Sequence, residues 1–177
     1  MTRLRSALQK AHISRHIAVQ FALAAIALSA SCACAGARDA RVLGATERIH
    51  LVEADLDFLA VVDTGAYRTS IHALEIAIQD PAPRMRDNIG RRIAFLVVNE
   101  AGRSRRITST ITDAMPVRTS HGTEWRYVVP LHLRWGGVEK EVQVNLRDRS
   151  PMAYKLLVGR DWIRGDFLVD VDRNAVD

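Results

Sequence analysis

The feature that most restricts the fold is a pair of strand-like segments, Trp125–Trp135 and Val138–Leu146, joined by Gly136-Gly137. Apolar and polar residues largely alternate in both segments, which is the period of a strand with one buried face. A Gly-Gly pair readily adopts the positive φ angles of a tight two-residue turn. The sequence therefore predicts a β-hairpin here, and its apolar face must be covered by further strands.

Further short apolar runs, separated by turn residues, recur along the chain. They are Arg48–Val52, Asp57–Val62, Arg92–Val98, Arg106–Thr112, Leu156–Val158 and Phe167–Val171. The first two predict a hairpin, and the next two predict another around Asn99–Gly102. His72–Ile78 is predicted to be either a short helix or a strand. Many short strands at this spacing predict an all-β fold: a small closed or partly closed barrel with one or two short helices.

Residues 1–37 differ from the rest of the chain. They hold four basic residues and no acid, then the apolar run Ile17–Leu28, which is short for a membrane span, and then small residues. This pattern predicts a signal peptide at residues 1–37 and one exported domain, periplasmic or secreted, at residues 38–177. A retained segment, or a lipid on Cys32, would instead tether the domain to a membrane.

The charge and cysteine content exclude several functions. Of 25 basic residues, four lie within residues 1–37, which leaves 21 against 20 acidic ones. The predicted domain is nearly neutral, so no nucleic-acid partner is expected. Cys32 and Cys34 both precede the predicted cleavage site, so thiol catalysis, disulfides and cysteine-based zinc sites are excluded for the domain.

One acidic residue follows a β-branched run at Ala60–Val62 and enters the corner Asp63-Thr64-Gly65-Ala66. Asp-Thr-Gly suits a turn, because the Asp side chain accepts backbone N–H bonds and Gly tolerates a left-handed backbone. Taken alone, the tripeptide indicates a turn at least as strongly as a catalytic acid.

A second motif, Leu156–Asp161, favours the catalytic interpretation of Asp63. It consists of apolar residues followed by Gly, Arg and an acid. Together with the Asp-Thr-Gly corner it resembles the retropepsins, the retroviral-type aspartic peptidases. The chain also resembles a bacterial retropepsin-like family formerly labelled ATP-dependent zinc proteases, whose genes often accompany ATP-grasp ligases. The matching stretches span about residues 42–172 and are Asp63–Ala66, Ser70–Ala73, Val117–Gly122, Glu124, Arg126–Val128, Asp148–Met152, Tyr154 and Leu156–Arg160.

The resemblance implies an aspartic endopeptidase with a retropepsin barrel. Two carboxylates a hydrogen bond apart share one proton, so one can accept a proton from water while the other donates to the peptide carbonyl. Because the chain has one Asp-Thr-Gly, a homodimer would supply an Asp63 from each copy. By resemblance, Thr64 would interlock with its symmetry mate, and Gly65 would let its N–H approach the carboxylate.

The resemblance also implies residues that support the corner. Ala66 fits the retropepsin pattern, and Gly159 would let the backbone pass close to the corner. Arg160 would hold the loop or the dimer through carboxylate contacts. Substrate-binding candidates beside the corner are Tyr67, Arg68 and His72, of which His72 is also read as a hydrogen-bonded supporting residue.

Two other functions stay open. Arg68 stands where the family usually has Thr, which leaves room for a secreted β-barrel that binds or assists without turnover. A zinc-dependent peptidase is weaker, because His50, His72, His121 and His132 lack the spacing of a helical zinc motif. No metal or cofactor is expected, since the chain also lacks a Gly-rich Lys loop for a nucleotide.

A basic stretch bears on the substrate. Arg84–Arg106 holds seven arginines against Asp87 and Glu100. Over a cleft, this excess would favour an acidic peptide. The resemblance agrees, because relatives are linked with glutamate-rich tails made by ATP-grasp ligases. Alternatively, the charges keep an edge strand from pairing with other chains.

Overall fold

Strands dominate the computed structural model, which describes residues 41–119 and 122–175. Two 3₁₀ turns, Val52–Ala54 and Met85–Asn88, also occur there. The elements are β1 (Arg41–Leu43), β2 (Thr46–Leu51), β3 (Leu56–Val62), β4 (Ser70–Ile78), β5 (Arg92–Val98), β6 (Ser104–Thr110), β7 (Asp113–Thr119), β8 (Gly122–Trp135), β9 (Val138–Arg147), β10 (Leu156–Val158), α1 (Arg160–Ile163) and β11 (Phe167–Val169).

The main sheet runs in the order β10-β3-β2-β8-β9-β4-β5-β6, with β7 attached to β8. Strand β10 also pairs with β4, so six strands from β10 round to β4 return on themselves. Strands β5 and β6 extend from this ring, and β1 pairs separately with β11. The predicted all-β, partly closed barrel with short helices is confirmed.

The hairpin predicted at the two glycines is confirmed. Trp135 pairs with Val138 across Gly136 and Gly137, whose φ angles are 56° and 78°. Alternate residues of both strands are buried in the barrel core: Val129, Leu131, Leu133, Val142, Val144 and Leu146. The apolar residues that alternate along these two segments are therefore the ones that face the barrel core.

Other predicted elements need adjustment. Strands β2 and β3 form the first predicted hairpin, and β5 and β6 form the second. The segment left open at His72–Ile78 is a strand, β4, with a register shift near Glu75, whose φ is 50°. Strand β7 was not predicted, because Pro116 argues against a central strand. It is tolerated here because β7 is an edge strand: among the described residues its only strand partner is the first half of β8, while β2 pairs with the second half.

The aromatic core fixes the short helix near the end of the chain. Trp162 of α1 is fully buried and stacks on Phe167 with 4.4 Å between ring centres. Trp135 meets the same Phe167 edge-on at 5.8 Å. Burying aromatic rings of this size is worth about 2–3 kcal/mol each. The packing therefore holds α1, and with it the start of the helix at Arg160, against the barrel.

The predicted signal peptide, residues 1–37, lies outside the described residues together with both cysteines and His121. Export therefore stays a prediction. Within residues 41–119 and 122–175, no helix has the length and apolar character needed to cross a membrane.

Candidate active site

Strand β10 brings the two sequence motifs together. It pairs in parallel with β3, with Val158 opposite Val62, and antiparallel with β4 on its other side. The backbone N–H of Asp63 donates to the Val158 carbonyl at 3.0 Å. The corner that begins at Asp63 is thus adjacent to the Gly159-Arg160 segment, although the two are far apart in the chain.

The Asp63 side chain closes its own turn. Its Oδ1 accepts hydrogen bonds from the N–H groups of Gly65 at 2.8 Å and Ala66 at 3.0 Å. A Cβ added at Gly65 would lie 3.1 Å from this oxygen, so glycine gives the N–H room to approach. Both donors bind the same oxygen, which leaves Oδ2 outside the turn. The carboxylate is thereby oriented while one oxygen remains for chemistry.

Gly159 lies where no side chain fits. A Cβ at this position would be 2.7 Å from the carbonyl carbon of Arg68 and 3.1 Å from the carbonyl oxygen of Ala66. The next residue, Arg160, donates its N–H to that Ala66 oxygen at 3.0 Å. The backbone of the second motif therefore passes directly against the Asp63 corner, as the resemblance implies for Gly159.

An unpredicted pair, Thr69 and Asp161, locks the chain after the corner. The Asp161 carboxylate accepts the backbone N–H of Thr69 at 3.0 Å and its hydroxyl at 2.7 Å. The same hydroxyl oxygen accepts the N–H of Gly159 at 3.1 Å. Thr69 is fully buried, so these bonds replace water entirely. The available signal was the acid that follows Gly159-Arg160.

Arg160 supports the loop differently from the prediction. Its Nη1 donates to the carbonyl oxygens of Thr64 at 2.9 Å and Gly65 at 3.2 Å. Within one chain, these acceptors are backbone carbonyls of the Asp63 corner, and the expectation that Arg160 holds the dimer through carboxylate contacts stays a prediction. A planar guanidinium reaches two neighbouring carbonyls at once, which fixes the loop from within its own chain.

The outer side of the corner is exposed. Thr64 and Gly65 lie on the surface, and the Tyr67 side chain is 60% exposed. Arg68 is half-buried, with its guanidinium 3.8 Å from Asp113 and 5.8 Å from the centre of the Tyr67 ring. The interlocking of Thr64 with a second copy and the substrate contacts of Tyr67 and Arg68 stay predictions.

His72 supports the segment that carries Arg149. The residue is 3% exposed, and its Nδ1 accepts the backbone N–H of Arg149 at 2.9 Å. Burial lowers the pKa of His72, which keeps the ring neutral and its Nδ1 able to accept. This position gives His72 the supporting role rather than a contact with substrate.

A cavity of about 530 Å³ opens beside the corner. Ala66, Tyr67 and Leu157 contribute to its wall, together with Met115 and Val117 of β7. Five arginines also line it: Arg68, Arg118, Arg126, Arg147 and Arg149. The cavity next to the candidate catalytic acid is therefore apolar in part and strongly positive.

The predicted basic stretch does not line this cavity. Arg84 and Arg86 border a separate depression beside Trp125, and Arg106 pairs with Glu75. The β5–β6 turn is bonded through Asn99 to the carbonyl of Asp57, at the opposite end of β3 from Asp63. The reading of Arg84–Arg106 as arginines over this cleft is therefore wrong, and different arginines line it.

Histidines outside the site pair with carboxylates. His50 contacts Asp57 at 2.8 Å, and His132 contacts Glu53 at 2.8 Å. The hydrogen bond to Glu53 raises the pKa of His132. Among the described residues, no three His, Cys, Asp or Glu side chains form a group that could hold a metal ion.

Comparison with known proteins decides the family. The family model described as RimB-like, retropepsin-like aspartic endopeptidase RimB, matches residues 42–177. This chain belongs to the RimB-like family of retropepsin-like proteins. The match includes both motifs that meet at the Asp63 corner.

Individual relatives carry other names. Proteins of Shewanella pealeana and Parasynechococcus marenigrum, each named a probable alpha-L-glutamate ligase, are 33% and 35% identical over 116 and 115 residues. The matches cover 63% of this chain but only 24% and 23% of those proteins, so the chain spans about a quarter of their length.

A solved structure supports the fold. The crystal structure of a Legionella pneumophila protein of unknown function superposes with a TM-score of 0.62 at 25% identity. The match covers 76% of this chain and 95% of that protein. The barrel is therefore shared over most of both chains.

Proposed function

We propose that this chain is an aspartic endopeptidase, in which Asp63 side chains from two copies hydrolyse a peptide bond. The observation that carries the proposal is the geometry of the Asp63 corner. One carboxylate oxygen is fixed by two backbone N–H groups, and Ala66, which donates one of these bonds, lines the adjacent cavity. Membership of a retropepsin-like family supports the same chemistry.

The reaction needs a second acid. One Asp63 carboxylate accepts a proton from water as the water oxygen attacks the carbonyl carbon. The other Asp63, protonated, donates its proton to the carbonyl oxygen. Collapse of the tetrahedral intermediate breaks the C–N bond as the departing nitrogen takes the proton that the first Asp63 accepted from water, while the second Asp63 takes a proton from a hydroxyl of the intermediate. Like charges this close cannot both ionise, so the pair holds one proton between its two carboxyl groups.

The homodimer follows from the single Asp-Thr-Gly. The exposed side of the corner, with Thr64 and Gly65 at its surface, supports a two-fold contact there. Arg160 and the Thr69–Asp161 pair hold each loop rigid, so the two carboxylates can meet without reorganisation.

The proposed substrate is an acidic peptide. The positive wall of the cavity supports it. So does the name alpha-L-glutamate ligase carried by relatives that share this region, although the matched region is only 24% of the length of such a relative.

The test is cleavage of a mixed peptide library by the protein and by Asp63→Asn, each with and without a chelator. Asn retains an oxygen that accepts the Gly65 and Ala66 N–H groups, so the fold should persist. We expect hydrolysis to fall at least about a thousandfold in Asp63→Asn and to ignore the chelator.

Two outcomes would replace the proposal. Chelator-sensitive cleavage that survives Asp63→Asn would indicate a metal-dependent peptidase. A folded, unsubstituted protein that cleaves nothing at acidic or neutral pH would indicate a binding or accessory module.

A further inference from the structure

Charge is unevenly compensated within the cavity. Five arginines line it, and two carboxylates of the described residues pair with them. Asp113 lies 3.8 Å from Arg68, and Glu124 lies 2.8 Å from Arg126 and 3.5 Å from Arg147. The cavity thus retains positive charge close to the candidate catalytic loop.

Arg149 is the least compensated of these side chains. It is 6% exposed, and its Nε donates to the Tyr154 carbonyl at 3.1 Å. No described carboxylate lies within 4.0 Å of its guanidinium. Burial lowers the pKa of Arg149, and the nearby charges of Arg147 and Arg126 lower it further. A buried cation without a counter-ion is costly, and an incoming anion relieves that cost.

Arg126 adds a second buried guanidinium. It is also 6% exposed, its Nη1 donates to the Asn145 side-chain oxygen at 3.2 Å, and its Nε is buried without a hydrogen-bond partner. An orphaned buried donor beside Arg149 is unusual in a native protein and points to a missing acceptor.

The backbone that carries Arg149 is fixed in advance. Its N–H donates to His72 Nδ1. The Lys155 ammonium donates to the carbonyls of Arg149, Ser150 and Met152 at 3.2, 2.9 and 2.7 Å. These bonds order the backbone of Arg149 before a ligand arrives, so less conformational entropy is lost when its guanidinium binds an anion.

We infer that Arg149, with Arg126 beside it, forms a subsite that binds a carboxylate of the peptide substrate close to the scissile bond. The planar fork of a guanidinium matches a carboxylate through two parallel hydrogen bonds. Ala66 and Tyr67, which follow the Asp63 corner directly, line the same cavity, so the bound residue lies near the reacting carbonyl. The inference rests on the proposed function and assigns its specificity to residues outside the Asp63 corner.

The test compares peptides that differ only by Glu or Gln at one position, with free and amidated C-termini. The unsubstituted protein should cleave one Glu peptide at least about tenfold faster in kcat/KM than its Gln partner. Arg149→Gln should remove this preference by lowering kcat/KM for the Glu peptide to about that for the Gln peptide. Arg149→Lys, which keeps a cation but not the fork, should retain part of it.

The matched control is Arg105→Gln, which removes one positive charge from the exposed face of β6 and lies outside the cavity. It should keep the full preference for Glu. A preference that follows the free C-terminus instead of the Glu side chain would assign the subsite to a terminal carboxylate and still support the inference. Equal rates on Glu and Gln peptides, together with equal rates on free and amidated peptides, in the unsubstituted protein would overturn it, as would an unchanged preference in folded Arg149→Gln.

A binding arm separates this inference from the proposed chemistry. Fluorescence anisotropy with labelled Glu and Gln peptides is measured on Asp63→Asn and on the same protein with Arg149→Gln added. Tighter binding of the Glu peptide that is lost with Arg149→Gln supports the subsite even if Asp63 proves not to be catalytic. Equal binding of Glu and Gln peptides, and of free and amidated peptides, by Asp63→Asn contradicts the subsite.

Discussion

The two sides of the Asp63 corner differ in how far contacts and hydrogen bonds from the same chain support them. The inner side is closed within one chain: Gly159 passes against it, Arg160 binds its carbonyls, and Thr69 is fully buried on Asp161. The outer side presents Thr64 and Gly65 to solvent. The fold thus completes the support of the candidate catalytic loop but supplies one carboxylate, and the proposed second copy would complete the outer side.

Gly159→Ala should produce the largest change, because it disrupts the inner side. The added Cβ would lie 2.7 Å from the backbone of Arg68, and rigid backbone cannot yield cheaply. We expect a loss of about 2–3 kcal/mol in the free energy of unfolding, together with loss of activity, measured by urea denaturation and peptide cleavage.

Gly102→Ala is the control for this change. Its φ is 74°, and nothing lies within 4 Å of the added Cβ, so it carries backbone strain without a clash at the site. We expect about 1 kcal/mol of destabilisation and unchanged kcat/KM. Equal losses of activity in both variants would show that Gly159 acts only through global stability.

Thr64→Ala tests the outer side. Because Thr64 is exposed in one chain, the stability of that chain should change by less than about 0.5 kcal/mol. If its hydroxyl bonds across a two-fold axis, two hydrogen bonds are lost per dimer, and the dimer dissociation constant should rise about 10- to 100-fold. Sedimentation velocity over a concentration series measures this, and an unchanged constant would remove Thr64 from the interface.

The smallest expected effect is on the pH dependence of stability, through His72 on the inner side of the corner. The folded state lowers the pKa of His72 below its ordinary value of 6.5. The unfolded chain therefore binds this proton more readily, and stability is lost as pH falls below 6.5. His72→Asn, which keeps an acceptor for the Arg149 N–H but does not titrate, should flatten the fall in Tm between pH 7.5 and 5.5 by about 1–3 °C.

His132 gives the opposite sign and serves as the comparison. Glu53 raises its pKa, so its contribution is complete below 6.5 and is lost as pH rises through the folded value. His132→Gln should therefore lower the Tm more at pH 5.5 than at pH 7.5, by a small amount because the side chain is 43% exposed. The same pH trend in both variants would contradict this assignment.

Local sequence patterns predicted one hairpin and the segment that passes the Asp63 corner. Gly136-Gly137 predicted the longest hairpin, because its turn chemistry agrees with the alternation of apolar residues on both sides. The Leu156–Gly159 run indicated which segment passes Asp63. The Thr69–Asp161 lock was missed, since the acid of the Leu156–Asp161 motif does not reveal its partner in sequence and their meeting depends on β10 lying between β3 and β4.

The cavity could not be predicted in the same way. Its arginines come from the corner and from β7, β8, β9 and the loop beyond, so no single run in the sequence displays them. Arg84–Arg106 was the conspicuous basic cluster and lies elsewhere, because the β5–β6 turn packs at the far end of β3. Pro116 concealed β7, which supplies one wall.

The central claim is that one active site uses Asp63 from two copies. Unsubstituted protein and Asp63→Asn are mixed at varied ratios, allowed to exchange subunits at fixed total concentration, and assayed for peptide cleavage. If the acids are shared, mixed dimers are inactive and activity falls as the square of the unsubstituted fraction. Activity that falls in direct proportion to that fraction, with subunit exchange verified, would mean that each chain works alone and would contradict the account.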